Sequence, residues 1–272
     1  MGTVTFRDLT RADIPAGLRL CRASRWNQVE RDWKHLLQLS PAGCRGAEVD
    51  GGIAGTVTTV RYAPGLAWIG MVLVDPSQRG QGIGTALLDE SLRLLQDVRT
   101  VWLDATPAGY EIYRKRNFEE DSSVARMECR IPADPAEAQG VSPLSDTGTI
   151  AEFDRNVFGG DRRVHLDWLP NGCVLPGHTG YAFVRPGENF AHIGPLVAPD
   201  MRGAQQLLNA CLHACPGMPV IIDVPRHQQE WIAALEAAGF REQRGFVRMR
   251  KGPAAEKLPH ASEYAIMGPE FG

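Results

Sequence analysis

Apolar and polar positions change period several times along this chain, and each change predicts an element. Val4 to Arg7 reads as a short strand. Ala12 to Leu39 carries apolar positions at helical spacing, interrupted near Arg25-Trp26-Asn27, so it reads as two helices. Ala47–Val49 and Ile53–Tyr62 flank Asp50-Gly51-Gly52 and read as a hairpin. Ala67 to Val74 is a continuous apolar run, the pattern of a buried strand, and Val101 to Ala105 is a second, shorter one. Between them Ile83, Leu87, Leu88, Leu92 and Leu95 recur at helical spacing, with Asp89, Glu90, Arg93 and Gln96 on the opposite face. The pattern lapses from Ile131-Pro132-Ala133-Asp134-Pro135 through Gly140, Pro143 and Gly148. This Pro-, Ala- and Gly-rich stretch reads as an interdomain linker.

Beyond the linker the blocks recur. Ala67-Trp68-Ile69-Gly70 matches Ala191-His192-Ile193-Gly194 at an offset of 124 positions, and Leu103-Asp104 matches Ile222-Asp223 at 119. Asn117-Phe118 matches Gly239-Phe240, and Arg126-Met127 matches Arg248-Met249, both at 122. A steady offset over separate blocks predicts two copies of one α/β unit. The expected organisation is a first domain over 1–130, a linker over 131–147 and a second domain over 148–272.

Composition narrows the class. A chain of 272 residues suits two domains, and 43% hydrophobic with 22% charged residues suits a soluble globular protein. The net charge of −3 argues against nucleic acid and anionic membranes as partners, and only 4 Lys beside 25 Arg leave no Lys-rich localisation tract. The longest uncharged apolar run, Leu66–Val74, is far short of the ~18 residues a membrane span needs. Met1-Gly2-Thr3-Val4-Thr5-Phe6 has neither a basic nor an apolar leader region, and Phe6 stands where a myristoylation signal requires Ser or Thr. Cys21, Cys44, Cys129, Cys173, Cys211 and Cys215 are scattered, which predicts reduced thiols and a cytoplasmic location. Cys211 and Cys215 share a helix face while His213 points elsewhere, so buried thiols are expected and no metal site.

The candidate chemistry lies in Val72-Leu73-Val74-Asp75-Pro76-Ser77-Gln78-Arg79-Gly80-Gln81-Gly82-Ile83-Gly84-Thr85, a strand passing through a Gly-rich turn into a helix. Free backbone N–H groups and the helix dipole make such a turn an anion site. The dinucleotide pattern is met only in Gly80-x-Gly82, because Thr85 occupies its third glycine position. The Gly-Lys-Ser/Thr of a P-loop is absent. What fits is Arg79-x-x-Gly82-x-Gly84.

With that loop, the order of elements, the Val-Leu-Val strand and Tyr113-x-x-x-Asn117-Phe118, residues 3–128 resemble the GNAT superfamily of acyl-CoA-dependent N-acetyltransferases. The whole chain is similar to a bacterial tandem subfamily whose second GNAT-like domain is degenerate. That match is carried by Arg25-Trp26-Asn27-Gln28, Trp68-Ile69-Gly70-Met71, Leu103-Asp104-Ala105-Thr106-Pro107, Phe158-Gly159-x-Asp161-Arg162, His192-Ile193-Gly194-Pro195-Leu196-Val197 and Gly268-Pro269-Glu270. The fold implied is α/β (α+β). It has two tandem domains, each a mixed, mostly antiparallel sheet with flanking helices and a splayed pair of parallel strands.

The resemblance also implies roles. Val72, Leu73 and Val74 would pair with the pantetheine arm of acetyl-CoA, and Arg79, Gly80, Gln81, Gly82, Ile83, Gly84 and Thr85 would hold its pyrophosphate. Tyr113 would contact the cofactor and protonate the departing thiolate, since a phenol stays protonated at neutral pH; read from its spacing alone, it is a core aromatic on a helix. Asp104 and Glu30 are the candidate bases, although Asp104 also suits a cap on the turn that follows it and Glu30 a solvated helix face. Trp26, Asn27, Gln28 and Trp68 suit an acceptor pocket, or core packing for the two Trp residues. Two departures stand out. Asn117 replaces the usual Gly, and the short Thr106-Pro107-Ala108-Gly109 lacks an Asn that commonly meets CoA.

The offset falls by five between Gly194 and Asp223, an interval holding Ala198-Pro199-Asp200-Met201-Arg202-Gly203 in place of the Gly-x-Gly loop. Leu235 stands at the Tyr113 position. The second domain is therefore expected to bind no acyl-CoA. His192 and His178 read as cleft-lining or structural, and Arg162-Arg163 as surface cations or as contacts to an acidic group of the substrate. The reaction expected is acetyl transfer from acetyl-CoA to a primary amine of a small molecule, by direct attack in a ternary complex. A protein lysine or N-terminal acetyltransferase and a non-catalytic acyl-CoA-binding module are the alternatives, and a homodimer is a candidate assembly.

Overall fold

A computed structural model describes residues 4–62, 65–130, 135–253 and 261–272. The readings made for Met1-Gly2-Thr3 and for Ile131-Pro132-Ala133-Asp134 lie outside the described residues. The chain divides into two compact units, Met1–Leu103 with Phe271, and Asp104–Glu270 with Gly272.

The first unit contains β1 (Thr5–Asp8), α1 (Ile14–Ala23), α2 (Glu30–Leu39), β2 (Cys44–Val49), β3 (Gly52–Tyr62), β4 (Leu66–Val74), α3 (Ile83–Leu94) and most of β5 (Thr100–Ala105). The helical stretch breaks where its apolar spacing breaks, with Arg25 in the left-handed region at φ 55°. The β2–β3 hairpin turns on Asp50 and Gly51, at φ 50° and 79°, the double positive φ that a tight hairpin turn requires. Strands β1 to β4 pair antiparallel in chain order.

Helices cover both faces of this sheet. On one, α3 buries Ile83, Leu87 and Leu88. Gly55 lets it come close, since a Cβ there would lie 2.9 Å from Leu87 Cδ1. On α1, a Cβ at Gly17 would lie 2.7 Å from the buried Trp33 ring of α2, so the glycine sets how near the two helices approach.

Strand β5 runs parallel to β4, but only Leu66–Trp68 and Thr100–Trp102 pair. Past that point β4 bulges. Its register against β3 shifts between the Thr56–Leu73 and Thr58–Gly70 pairs. Met71 takes φ 51°, and Thr56 Oγ1 donates to its carbonyl at 2.9 Å. A bulge bends a strand and re-aims its backbone groups, so β4 parts from β5 and its edge from Ile69 to Val74 opens.

The second unit contains α4 (Pro107–Arg114), β6 (Glu119–Cys129), β7 (Ser142–Pro143), α5 (Ala151–Phe158), α6 (Arg163–Trp168), β8 (Gly172–Val174), β9 (Tyr181–Arg185), β10 (Ala191–Val197), α7 (Met201–Ala214), β11 (Val220–Pro225), α8 (Gln229–Ala237), β12 (Arg241–Lys251) and β13 (Glu263–Ala265). Its strands run β7-β8-β9-β10-β11-β6-β12, with β10 and β11 parallel and the other neighbours antiparallel. The short β7 falls inside the stretch read as linker. Pro143 is tolerated there because β7 is a strand at a sheet edge.

Two features confirm the repeat. Elements α3, β5, α4 and β6 recur as α7, β11, α8 and β12, in the same order. The connection from β4 to α3 covers 75–82, whereas that from β10 to α7 covers only 198–200, so the five missing residues are missing from the loop. The repeats also exchange strands, because β6 of the first copy lies between β11 and β12 of the second. Ile193, Leu207, Ile222, Val224, Trp231 and Leu235 form the core beneath. Burying each such side chain contributes about 1.5–3 kcal/mol.

Candidate active site

The Gly-rich loop begins at Asp75, whose amide donates to Ala54 O at 2.8 Å. The Asp75 carboxylate accepts from Ser77 Oγ at 2.7 Å and Ser77 N at 3.0 Å, and pairs with Arg19. The Ser77 bonds, with Arg19 behind them, hold its pKa below the usual carboxylate range. These contacts fix the entry of the loop and leave its tip open. Gly80 and Gly82 are exposed at φ 76° and 81°, and a Cβ on either would meet nothing within 4 Å. Conformation, not crowding, demands glycine there. Gly84 is different, since a Cβ would make only an ordinary 3.5 Å contact with Val74 Cγ2.

Gly82 is the N-cap of α3 and caps it with no side chain, so the N–H groups of the first turn, through Ile83, Gly84 and Thr85, are free of side-chain caps. Gln81 Nε2 donates to Gln78 Oε1 at 3.2 Å, within the loop. Arg79 folds back, donating from Nε to Val74 O at 3.2 Å and from Nη2 to Ser24 Oγ at 3.4 Å. The loop is thereby tied to the end of α1, directly before Trp26-Asn27-Gln28. Val72 and Val74 are half-buried on the open edge of β4, and Leu73 points into the core. One open strand edge thus runs straight into one turn whose helix start carries no side-chain cap.

The residues assigned to the acceptor side lie in the same unit. Trp26 is half-buried, its amide donating to Cys21 O at 2.8 Å, while Asn27 and Gln28 are buried. Gln28 Oε1 has no hydrogen-bond partner among the described residues. Trp68 stacks on Trp102 at 6.3 Å between ring centroids and 5° between planes, a consequence of their side-by-side register on β4 and β5. Glu30, first residue of α2, is exposed and pairs with Lys34 at 2.6 Å. The buried carboxylate of this helix end is Asp32, which accepts from Val29 N at 2.7 Å.

Tyr113 and Asp104 belong to the second unit. Tyr113 is the buried residue of α4 and meets Phe118 edge-on at 6.1 Å. Burial pushes its phenol up to about 12, so it stays protonated through the neutral range. Gly109, one turn earlier, makes room for the ring: a Cβ there would lie 2.6 Å from Tyr113 Cε2 and 3.2 Å from its hydroxyl. The turn that follows the helix closes on Asn117 at φ 61°, the left-handed position that Gly239 fills in the second copy. Leu235 is buried on α8 at the place corresponding to Tyr113.

Arg248 holds Asp104 through both oxygens, Nε to Oδ1 and Nη2 to Oδ2, each at 2.9 Å. Burial pushes this carboxyl up, and the guanidinium opposes the shift. No local motif marks Arg248 or Gly109 as a site residue. The signal for Arg248 lay in the repeat, whose matched pairs include both Asp104 with Asp223 and Arg126 with Arg248.

Other readings are settled by burial. Arg162 is no surface cation: its buried guanidinium holds Asp154 at 2.9–3.1 Å, donates to Gly272 O at 3.2 Å and lies 4.2 Å from the Phe158 ring centroid. The carboxylate partner makes that depth tolerable. Arg163 is exposed. His192 is buried between Asp223 and Arg185, and burial, then Arg185, lowers its pKa. His178 is exposed at φ 57°. Cys211 and Cys215 are buried on α7, while His213 is exposed.

Comparisons with known proteins agree with this geometry. Residues 9–118 match the acetyltransferase (GNAT) family, and residues 150–265 match an acetyltransferase (GNAT) domain. No curated protein matches the sequence. Among solved structures, a Pyrococcus horikoshii protein with a provisional acetyltransferase assignment superposes with a TM-score of 0.87 at 24% identity, over 99% of this chain and 96% of its own. A tandem GNAT protein from the clavulanic acid biosynthesis pathway gives 0.65 at 16% identity, over 93% and 100%. A GCN5-related N-acetyltransferase from Sphaerobacter thermophilus gives 0.61 at 18%, over 93% and 97%. At these identities the structures speak for the fold. With both halves matched and the repeat visible in sheet and loop, the chain belongs to the GNAT acetyltransferases and carries two GNAT domains in tandem.

Proposed function

We propose that the first half transfers an acetyl group from acetyl-CoA to a primary amine of a small-molecule acceptor, by direct attack in a ternary complex. The observation that carries this is the open edge of β4 leading into the Gly80–Gly82 turn. An extended amide-bearing arm can pair along Val72 to Val74 while a pyrophosphate meets the free N–H groups of the turn. The halves 1–130 and 148–272 are the units of duplication, joined by 131–147.

Attack requires a neutral amine, and an alkylammonium has a pKa near ~10.4, so a proton must leave first. Glu30 stands beside the acceptor loop and takes it through water. Asp104, gripped by Arg248, anchors its strand instead. The amine nitrogen adds to the thioester carbonyl, and a backbone N–H of β4 holds the oxyanion. Collapse breaks the C–S bond, Tyr113 gives its proton to the departing thiolate, and the proton shed by the acylated nitrogen returns through water to the phenolate. Trp26, Asn27, Gln28 and Trp68 shape the acceptor pocket, and the protein works in the cytoplasm.

The test is thiol release from acetyl-CoA across amines, amino acids, amino sugars and basic peptides, with wild type beside Tyr113→Phe. An amine-dependent rate that falls in the variant supports the reading. A rate with basic peptides alone assigns a protein acceptor, and binding of acetyl-CoA without turnover reduces the first half to a binding module.

A further inference from the structure

The second half also splays its parallel strands, and its opening is filled. β10 and β11 pair only over Ala191–Ile193 and Val220–Ile222. β10 then breaks register between Ile193 and Leu196, as β4 does around Met71. Beyond the break, one edge of β10 stays with β9, through Leu196–Ala182 and Val197–Tyr181. The edge that β11 has left is taken by β13, through Leu196–Ala265 and Val197–Glu263. Ala198 N donates to Ser262 O at 3.0 Å, and on the other lip Ile266 N donates to Asp223 O at 3.0 Å. The segment therefore bonds to both lips. Glycine is required beneath it, because a Cβ at Gly194 would collide with Ile266 O.

At the repeat offsets, Leu196, Val197 and Ala198 correspond to Val72, Leu73 and Val74, and Asp223 corresponds to Asp104. We infer that the splay of the second half is a binding slot for an extended backbone, and that residues 262–266 of the same chain occupy it where the first half takes the pantetheine arm. The inference rests on the cofactor reading of the first half.

The chemistry of the two occupants is alike. A vacated strand edge carries N–H and C=O groups that need partners, and either a peptide or an amide-bearing arm supplies them in extended form. Tyr264, Ala265, Ile266 and Met267 are buried, so a competing ligand must expose all four to enter. The segment is also pinned beyond the slot. Glu270 pairs with Arg185 at 2.6 Å, Arg185 meets His192 Nδ1 at 3.0 Å, and Arg162 donates to Gly272 O at 3.2 Å. A Cβ at Gly268 would lie 3.0 Å from Glu270 Oε2 and 3.1 Å from Arg185 Nη2, so the segment passes close against this cluster. The shortened loop at 198–200 removes the phosphate turn from the same half. Internal occupancy and loop loss together close the second half to acyl-CoA.

The experiment is calorimetric titration of the whole chain with acetyl-CoA, with amide hydrogen exchange followed at Ala198 and Ile266. A single equivalent per chain is expected, with both amides slow to exchange before and after saturation. Gly82→Val is expected to abolish that equivalent and leave the two amides protected. Two equivalents, or faster exchange at Ile266 on saturation, overturns the inference and leaves the first-half reading standing. No binding at all removes the cofactor reading and the inference with it, an outcome distinct from two equivalents.

Discussion

Arg248 grips Asp104 through two parallel 2.9 Å hydrogen bonds, although 144 positions of chain separate them. The grip has a twin, for Arg126 holds Asp223 in the same bidentate way at 2.7 Å. Each copy of the repeat thus supplies an arginine from its last long strand to the aspartate of the other copy. Burial would raise the Asp223 pKa, yet Arg126, then His192, hold it well below the ordinary value. The reciprocal pairs fix which strand lies where when the copies exchange β6 and β12. Exchange of this kind needs a register marker, since a slip of one residue would put both guanidinium groups on the wrong face.

Breaking one pair is expected to cost much more than deleting it. Arg248→Met leaves a buried carboxylate unpaired and should lower stability by about 3–5 kcal/mol. Combining it with Asp104→Leu should recover most of that loss. Urea unfolding of wild type, single and double variants checks this. A single variant within about 0.5 kcal/mol of wild type, the scale of an ordinary surface change, would contradict it.

Gly109→Ala should slow the reaction without unfolding the chain. Helix propensity alone favours Ala by about 1 kcal/mol. The Cβ, 2.6 Å from the Tyr113 ring, forces the phenol to shift instead. The expected result is a kcat lowered roughly tenfold or more, since misplacing a reacting group by about 1 Å can cost 100-fold, with the affinity for acetyl-CoA held. Steady-state kinetics beside a CoA titration separate the two effects.

The Tyr113 phenol gives a pH dependence with a definite sign. Its pKa is about 12 in the fold against 10.0 when free. A raised pKa contributes stability that is fully present below pH 10 and is lost as pH rises through about 12, on the order of 3 kcal/mol. Tyr113→Phe should flatten that alkaline loss. Thermal melts of both proteins from pH 8 to 12 measure it.

The three loop glycines are expected to differ. Gly82→Ala must hold a Cβ at φ 81°, a strain of about 1–2 kcal/mol, and should weaken acetyl-CoA binding by roughly tenfold. Gly80→Ala should behave alike. Gly84→Ala, inside α3 and free of positive φ, should change binding by less than about threefold. Equal losses at all three would mean that bulk in front of the loop, not its conformation, sets the affinity.

Local chemistry was legible in the sequence. Apolar period marks the strands and helices from β1 to β5, but not β7, α5, α6 or β13. Gly80 and Gly82 gave the turn. The repeat offset located five missing residues in the loop where the structure lacks them, because chain length between matched blocks is conserved bookkeeping along a single dimension. What escaped were relations between distant positions. Asp104 ends an apolar strand, and nothing near it in sequence announces a guanidinium 144 positions away. Arg162 reads as a surface cation until Asp154 and Gly272 close around it. Ser262 to Ile266 carry no motif, yet they fill a slot whose two lips lie in β10 and β11.

The sequence by itself determined the elements of the first half, the duplication and the Gly-rich turn between β4 and α3, because each depends on backbone geometry and on side-chain period within a few residues. The tertiary structure decided the exchange of β6 and β12, the crossed Arg–Asp pairs and the filling of the second splay. Those depend on which strand edges and which buried charges meet, and a buried charge or an open edge is indifferent to how far along the chain its partner lies.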